Sequence, residues 1–311
     1  MRHLYHGLQK FFFAATSDTW LSILRFGLGL QVIVYCISIR GDWNELLATN
    51  GSGFISRELA EAILSANSFL IPRVGWLTSL LHLLGIGEQA ALSLTWASLL
   101  LAGLFLSAGL FSRVSSIFAW FLYLCAAKSG ALAAYGADQM TIIGLFYLMV
   151  SPLPDRFSLD HRLRKYPIKD AWLHGFFRRV LQLHLCVIYF SSGVTKCLGA
   201  GWWNGASMWR ALTRPPFNII PVDIILSGRA LLPVVGIAIL VLETGYPLFI
   251  WVNRTRFIWL IAILCMHLAI GLTMGLYLFS LIMIVLNLAA FGSEYLFRTS
   301  NSEESVSAQE V

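Results

Sequence analysis

Charged side chains are scarce in this chain. Asp, Glu, Lys and Arg together make up 12% of its 311 residues, whereas 58% of the residues are hydrophobic. A soluble domain carries roughly 25% charged residues, so the shortage excludes the ordinary water-soluble globular proteins. Apolar segments occupy nearly the whole chain and leave no stretch able to form a separate soluble core. We therefore predict one all-α integral membrane domain, a polytopic helical bundle.

Paired cysteines and metal-binding motifs are also missing. No two of the five cysteines form a Cys-x-x-Cys pair, and all of them lie in apolar stretches: Cys36, Cys125, Cys186, Cys197 and Cys265. We interpret them as buried, reduced and structural. Histidines do not occur at positions i and i+4 of a helix together with a carboxylate, and no glycine-rich nucleotide loop is present. We therefore predict no metal site.

Apolar runs of membrane-spanning length recur along the chain. They predict about eight membrane-embedded helices, and up to about ten if the loop 40–89 contributes further segments. The expected spans are 20–39, 90–112, 114–134, 138–152, 179–198, 231–252, 257–275 and 276–292. Three regions follow: a cytoplasmic N-terminal segment 1–17, a transmembrane domain 18–292 and a disordered cytoplasmic tail 293–311.

The basic residues predict the orientation of the chain. With the N-terminus in the cytoplasm, all the clusters of Lys and Arg between spans fall on the cytoplasmic face, as the positive-inside rule requires. The largest cluster is the loop 153–179, which faces anionic lipid headgroups, and the cytoplasmic clusters together explain the net charge of +6 without nucleic acid. We therefore expect a multi-pass protein of the cell membrane with both termini cytoplasmic. Its expected partner is the lipid bilayer, and we expect no nucleic acid.

A few ionisable side chains lie inside the expected spans. Glu243 and His267 are too deep to reach water without a partner or a cavity, so they are candidates for a shared polar site; the alternative is an interhelical hydrogen bond that only stabilises the bundle. Lys196 ends the fifth span on the outer side. It is either an anchor that reaches the interface or a functional group, because burying its charge costs about 2.5–3.5 kcal/mol. We interpret Arg25 and Lys128 as anchors.

Further polar and aromatic residues lie at the same outer level as Lys196. Asp138 and Gln139 open the fourth span and are either a helix cap or part of a site. Trp202 and Trp203, which follow Lys196, are either interfacial belt residues or part of a re-entrant segment that covers a cavity. These positions predict a pocket between the fourth and seventh spans that opens towards the outer leaflet.

The stretch 189–205, YFSSGVTKCLGAGWWNG, resembles the vitamin K-dependent gamma-carboxylase family. That family has YF, two small residues, Gly-Val-Lys-Lys and then a tryptophan before a glycine. His267, followed later by Phe279-Ser280, is similar to the span of the family that carries FH and then FS. LRFGLGL at 24–30, AGLFSR at 108–113 and LHLCVIYF at 183–190 extend the similarity to the bacterial horizontally transferred transmembrane (HTTM) proteins. The resemblance covers roughly residues 18–292.

The resemblance implies a specific chemistry. The second lysine of the family motif is the proposed base and falls on Lys196, whereas the first is Thr195 here. Lys196, kept uncharged in an apolar pocket, would deprotonate vitamin K hydroquinone or another quinol. Oxygen would then convert the anion to an alkoxide that removes the γ proton of a peptide glutamate before carbon dioxide adds. We expect a membrane enzyme of this lyase or oxidoreductase type.

The remaining site residues are assigned within the same pocket. His267 is expected to be catalytic, and the cofactor is expected to contact Tyr189, Trp202, Trp203, Gln139, Asp138 and Glu243. An ionised Glu243 beside Lys196 would hold the lysine protonated, so we expect Glu243 to be distant, protonated or paired elsewhere, for example with His267.

This sequence departs from the carboxylases in two ways. The carboxylases continue into a large luminal domain, whereas no counterpart follows the eighth span here, so we expect a companion protein to supply the peptide or protein substrate. The carboxylases also have a histidine at the outer start of the fourth span, where this chain has Asp138-Gln139. Two alternatives stay open: a quinone-linked redox component similar to the DoxX-type membrane proteins, and a non-catalytic membrane scaffold.

Overall fold

The computed structural model describes residues 2–49, 55–130, 133–167 and 169–297, and within these ranges it contains helices and no strand. The all-α prediction is confirmed. The α-helices are α1 Arg2–Phe12, α2 Thr19–Ser38, α3 Trp43–Leu47, α4 Arg57–Asn67, α5 Val74–His82, α6 Glu88–Ala108, α7 Ser112–Ser129, α8 Gly136–Val150, α9 Leu159–Arg164, α10 Ala171–Cys197, α11 Ala200–Trp203, α12 Ala206–Thr213, α13 Val222–Ser227, α14 Leu232–Phe249, α15 Asn253–Met274, α16 Tyr277–Asn287 and α17 Ser293–Leu296. A 3₁₀ turn, Arg229–Leu231, precedes α14, and a π-helical turn, Leu288–Gly292, joins α16 to α17.

Every expected span corresponds to a helix. In the described part of the chain, six segments are long and apolar enough to cross a membrane, namely Thr19–Ser38, Glu88–Ala108, Ala171–Cys197, Arg229–Phe249, Asn253–Met274 and Tyr277–Leu296. The helix α8 is apolar but shorter. The largest difference from the expectation is at α10, which begins at Ala171 and not near residue 179. The helical backbone continues into the basic loop because its hydrogen bonds do not depend on apolar side chains.

The chain divides into two compact units. Unit 1 is formed by Met1–Ile23 and Asp170–Val311, so far as these are described, and unit 2 by Leu24–Lys169. Unit 1 contains α1 and α10 to α17, whereas unit 2 contains most of α2 together with α3 to α9.

In unit 2, a buried ion pair joins α2 to the loop after α8. The Arg25 Nε donates to Asp155 at 2.5 Å, and its Nη1 donates to the carbonyl oxygens of Leu106 and Ser107 at 2.6 and 2.9 Å. Arg25 and Asp155 are both buried. The interpretation of Arg25 as an interfacial anchor is therefore wrong, because a carboxylate and two helix-end carbonyls satisfy its charge inside the protein.

The turn between α6 and α7 packs against the Arg25–Asp155 ion pair and the loop that follows Asp155. Gly109 ends α6 with φ 72°, and a Cβ there would lie 2.6 Å from the Cα of Ser158 and 2.9 Å from the Cζ of Arg25. The Asp160 carboxylate accepts from the backbone N–H groups of Phe111 and Ser112 at 2.8 and 2.6 Å, which caps the start of α7. The motifs at 24–30 and 108–113 therefore hold this turn together.

The cysteines follow the sequence interpretation only in part. All five are free thiols, and Cys36, Cys125 and Cys186 are buried as expected. Cys197 is half-buried, and Cys265 is exposed on α15. The prediction of burial is wrong for Cys265, because an apolar span in a membrane bundle presents one face outwards and a thiol is compatible with that face.

In unit 1, helices α10 and α14 approach each other closely at Gly193. A Cβ on Gly193 would lie 2.7 Å from the Thr244 Cγ2 and 2.8 Å from the Thr244 backbone nitrogen. Contact at that distance with backbone leaves room only for a hydrogen. The sequence of α10 therefore sets the separation between the two helices one turn before Lys196.

The π-helical turn after α16 is hydrogen-bonded to α10 within unit 1. Its Ala290 carbonyl accepts from the Arg178 Nε at 3.0 Å and from the Gln182 Nε2 at 2.6 Å. The chain then continues as α17, where Glu294 pairs with Arg178 at 3.0 Å and with Arg256 at 3.4 Å. The expected tail 293–311 thus begins with a helix, and residues 298–311 lie outside the described part of the chain.

Candidate functional site

Lys196 forms a close ion pair with Glu243. Lys196 lies in the last turn of α10, and its Nζ is 2.5 Å from both carboxylate oxygens of Glu243 on α14. The Nζ also donates to the Ser192 Oγ at 2.8 Å. The Lys196 side chain is 22% exposed and that of Glu243 is 7% exposed. Glu243 is therefore neither distant from Lys196 nor paired with His267, and those two expectations are wrong.

The contact between α10 and α14 explains why the pair forms. Ser192, Gly193 and Lys196 occupy one face of α10, because residues three and four positions apart share a helix face. On α14, Glu243 is the neighbour of Thr244, which packs against Gly193. Lys196 lies one turn beyond Gly193, and Glu243 lies directly beside Thr244. The close backbone contact therefore brings the ammonium group within hydrogen-bonding distance of the carboxylate.

Trp202 lies beside the ion pair. Its ring centroid is 5.2 Å from the Lys196 Nζ, a distance typical of a cation–π contact. A Cβ on Gly236 of α14 would be 2.3 Å from the Trp202 carbonyl oxygen, so α11 lies directly on α14. Trp203 is exposed, and its indole N–H donates to the Cys197 carbonyl at 2.9 Å. Of the two tryptophans, Trp202 thus contacts Lys196 and Trp203 stabilises the turn.

A second polar cluster lies along the same helices and is entirely buried. The Tyr189 hydroxyl is 2.7 Å from the His267 Nε2 and accepts from the Asn287 Nδ2 at 2.7 Å. The Tyr246 hydroxyl donates to the Asn287 Oδ1 at 2.8 Å, and the rings of Tyr189 and Tyr246 are 4.3 Å apart. Tyr189 precedes Lys196 by two helical turns, and Tyr246 follows Glu243 by one. Both clusters therefore share the faces of α10 and α14.

Tyr246 and Asn287 were missed at the sequence level. Tyr246 has the signal that could have found it, because it lies three residues after Glu243 and so on the same helix face. Asn287 stands in an otherwise apolar span, where an amide is costly unless it is hydrogen-bonded, and that alone marks it as part of a polar cluster.

Asp138 and Gln139 belong to unit 2, whereas the two clusters above belong to unit 1. The Asp138 carboxylate accepts from the Tyr135 backbone N–H and from the Tyr123 hydroxyl, both at 2.9 Å. It therefore caps the start of α8, and the helix-cap interpretation is confirmed. Gln139 is exposed. The pocket expected between the fourth and seventh spans stays a prediction.

One comparison with known proteins gives a match. The sequence model of one protein family, described as the HTTM domain, matches residues 65–294. That range contains α5 to α16 and every residue of the two polar clusters in unit 1. No curated protein and no solved structure matches the chain.

Proposed function

This chain belongs to the HTTM domain family, and we propose that it is a membrane-embedded, carboxylase-like enzyme in which Lys196 and Glu243 together remove a proton from a lipid-soluble quinol. The observation that carries this proposal is the contact of the Lys196 Nζ with both oxygens of a nearly fully buried carboxylate. Ionisable groups inside a membrane bundle are costly and commonly mark a functional site.

The pair has two ways to hold its proton. As an ion pair, Lys196 and Glu243 attract each other but lose the hydration of two charges; as a neutral amine and acid, they lose far less. An apolar reactant that covers the exposed 22% of the Lys196 side chain excludes water and favours the neutral form. Glu243 then holds the proton, and the amine of Lys196 is free to act as a base.

A quinol fits the groups that surround this amine. Trp202 presents a flat aromatic ring beside the Lys196 Nζ, and the helices around it are apolar enough for a ligand that partitions into lipid. When bound, a quinol such as vitamin K hydroquinone supplies an acidic hydroxyl group and two electrons for dioxygen. The Lys196 amine takes the hydroxyl proton and becomes an ammonium, and Glu243 stays hydrogen-bonded to it.

We also propose that this site faces the outside of the cell membrane. Lys196 lies 18 residues after Arg178 on one continuous helix, which corresponds to about 27 Å at 1.5 Å per residue. The hydrocarbon core of a bilayer is about 30 Å thick. Since the basic loop before Arg178 favours the cytoplasmic face, Lys196 falls at the opposite face, where a companion protein would supply a peptide substrate.

The test is oxygen-dependent oxidation of vitamin K hydroquinone by purified protein in lipid vesicles. We expect Lys196→Ala to lower turnover by roughly 10²-fold or more, the contribution typical of a general base. Glu243→Gln, which keeps a hydrogen-bond acceptor but cannot take the proton, should lower turnover by at least about tenfold. Lys128→Ala is the matched control and should leave turnover unchanged. Equal turnover of Lys196→Ala and wild type would eliminate the assigned base.

Labelled carbon dioxide separates the three candidate functions. Incorporation into a glutamate-containing peptide supports a carboxylase. Quinol oxidation without incorporation indicates a quinone-linked redox component, and the absence of oxidation by the wild-type protein favours a non-catalytic scaffold.

A further inference from the structure

The hydrogen bonds of the buried cluster around Tyr189 have a defined direction. The Asn287 Nδ2 donates to the Met283 carbonyl at 2.8 Å, which fixes the orientation of the amide because a carbonyl oxygen accepts only. The Asn287 Oδ1 is then an acceptor, so the Tyr246 hydroxyl donates to it. The other hydrogen of Asn287 Nδ2 goes to the Tyr189 oxygen, which is therefore an acceptor in that contact.

The direction of these bonds decides the tautomer of His267. If Tyr189 donates its hydrogen to the His267 Nε2 at 2.7 Å, the hydroxyl is fully used and the histidine carries its hydrogen on Nδ1. The opposite arrangement would leave the Tyr189 hydrogen without an acceptor and the His267 Nδ1 without a donor. The first arrangement leaves one buried polar group unmatched and the second leaves two, so the first is favoured.

The unmatched group is the Nδ1–H of His267. This nitrogen is buried and has no hydrogen-bond partner among the described residues. A buried donor without a partner costs about 1–3 kcal/mol. The neighbouring polar atoms cannot serve it, because the Ser280 hydroxyl donates to the His267 backbone carbonyl at 2.6 Å and the Tyr189 hydroxyl is engaged on the other side of the ring.

We infer that the Nδ1–H of His267 is the donor for an oxygen of a quinone-type ligand, an inference that rests on the proposed function and names the group that recognises its substrate class. The oxygen of such a ring needs only one donor, whereas a buried water needs two to four polar partners. The surroundings of the imidazole favour the former, since the Phe279 ring lies 5.7 Å away in an edge contact and the nearest hydroxyl groups are already bonded.

The chain of hydrogen bonds strengthens this donor. Tyr246 donates to Asn287, Asn287 to Tyr189 and Tyr189 to His267, so every bond runs towards the Nδ1–H. Hydrogen bonds aligned in one direction polarise one another, by about 10–30% per bond. The end of the chain is therefore suited to stabilise negative charge on a ligand oxygen, the charge that forms when a quinol loses a proton. His267 contacts the ligand, and Tyr189, Asn287 and Tyr246 are positioning residues.

The tautomer is tested first, on the full-length protein in vesicles. Nitrogen-15 labelling of histidine and solid-state NMR, with His267→Phe to identify the signal, should show His267 protonated on Nδ1. The Tyr189→Phe variant removes the donor to Nε2, and we expect it to convert at least part of the signal to the Nε2–H form. An Nε2–H signal in the wild-type protein would overturn the inference.

The ligand is tested with menadione labelled with carbon-13 at its carbonyl groups. We expect binding to lower the stretching frequency of one carbonyl, and His267→Phe to abolish that shift and to weaken binding about tenfold, the loss of one hydrogen bond. Tyr189→Phe should reduce the shift, and it stands in for His267→Phe if that variant fails to fold. His184→Phe, on the same helix as Tyr189, is the control. The wild-type protein could show the Nδ1–H tautomer while the menadione affinity and the carbonyl stretching frequency are the same in wild type and His267→Phe. That result would assign the Nδ1–H donor to a buried water and refute the ligand site.

This binding test is independent of the turnover test. Menadione is already oxidised, so its binding requires no proton removal by Lys196. Loss of binding in His267→Phe together with full turnover of quinol by Lys196→Ala would preserve the ligand site and reject the proposed base. Unchanged binding in His267→Phe together with loss of turnover in Lys196→Ala would reject the ligand site and preserve the proposed base.

Discussion

Lys196 and Glu243 lie 47 positions apart in the chain, yet the lysine nitrogen is 2.5 Å from both carboxylate oxygens. The two members of the pair are not equivalent. Glu243 is the more deeply buried, whereas the Lys196 side chain keeps some exposure and a second partner in the Ser192 hydroxyl. The loss of either partner therefore leaves a different group behind.

We predict that Lys196→Met destabilises the protein more than Glu243→Gln. The first variant leaves the more deeply buried group, Glu243, without its hydrogen-bond donor even if the carboxylate takes up a proton, and should cost about 3 kcal/mol, near the lower end of the range for breaking a buried pair because Lys196 is partly exposed. The second leaves an ammonium that still donates to Ser192 and to the new amide, and should cost about 1–2 kcal/mol. Thermal unfolding in detergent measures both.

The double variant Lys196→Met/Glu243→Leu is the control for this prediction. It removes both charges together, so its stability should return to within about 1 kcal/mol of wild type even though turnover is lost. If the two single variants unfold at the same temperature, the difference in burial does not govern the energetics of the pair.

We further predict that Gly193→Ala separates Lys196 from Glu243. The added Cβ would be 2.8 Å from a backbone nitrogen of α14, so the helices themselves must move apart. We expect a loss of about 1–3 kcal/mol of stability and, in a quinol oxidation assay, a drop in turnover larger than the change in KM. Gly228→Ala, whose Cβ would meet its nearest atom at 3.6 Å, should be close to neutral. Full activity of Gly193→Ala would show that the pair tolerates a wider helix separation.

The sequence predicted the helices well because membrane spans are specified locally. An apolar run of sufficient length must satisfy its backbone hydrogen bonds internally, so composition alone indicates a helix. A helix cap is also a local feature, and Asp138 could be interpreted as one from the sequence because its partner Tyr135 is three residues away. Positions whose role depends on neighbours within one helix were therefore accessible without a structure.

Pairings between distant segments were not accessible. Arg25 was interpreted as an anchor, whereas its partner is Asp155, which lies 130 positions later in the chain. Lys196 and Glu243 were both identified as candidates, but their contact depends on the packing of Gly193 against Thr244. Hydropathy carries no information on which face of one helix meets which face of another. For this reason the sequence identified residues of the site but not which of them contact one another.

The buried pair in unit 2 gives a prediction about folding alone. We expect Asp155→Asn to destabilise the protein by about 3–5 kcal/mol, because it leaves the Arg25 guanidinium buried with only carbonyl partners. Arg25→Met should cost somewhat less, because a carboxylate left alone can take up a proton and become neutral whereas a guanidinium cannot. The exposed Asp42→Asn is the control, and thermal unfolding is the measurement. A larger effect of Arg25→Met would show that the bonds to Leu106 and Ser107 matter more than the charge.

The last prediction concerns the orientation of α10, on which the location of the site depends. Asp170 precedes the helix and Arg214 follows the short helices after it, and both side chains are exposed. In a variant whose five cysteines are replaced, single cysteines at Asp170→Cys and Arg214→Cys report on the two ends. A membrane-impermeant maleimide applied to intact cells should label Arg214→Cys, and should label Asp170→Cys only after the cells are permeabilised, because the basic loop before α10 favours the cytoplasm. Labelling of both cysteines from outside would mean that α10 does not cross the bilayer. Labelling of Asp170→Cys alone would place Lys196 at the cytoplasmic face, and a peptide substrate would then have to reach it from inside the cell.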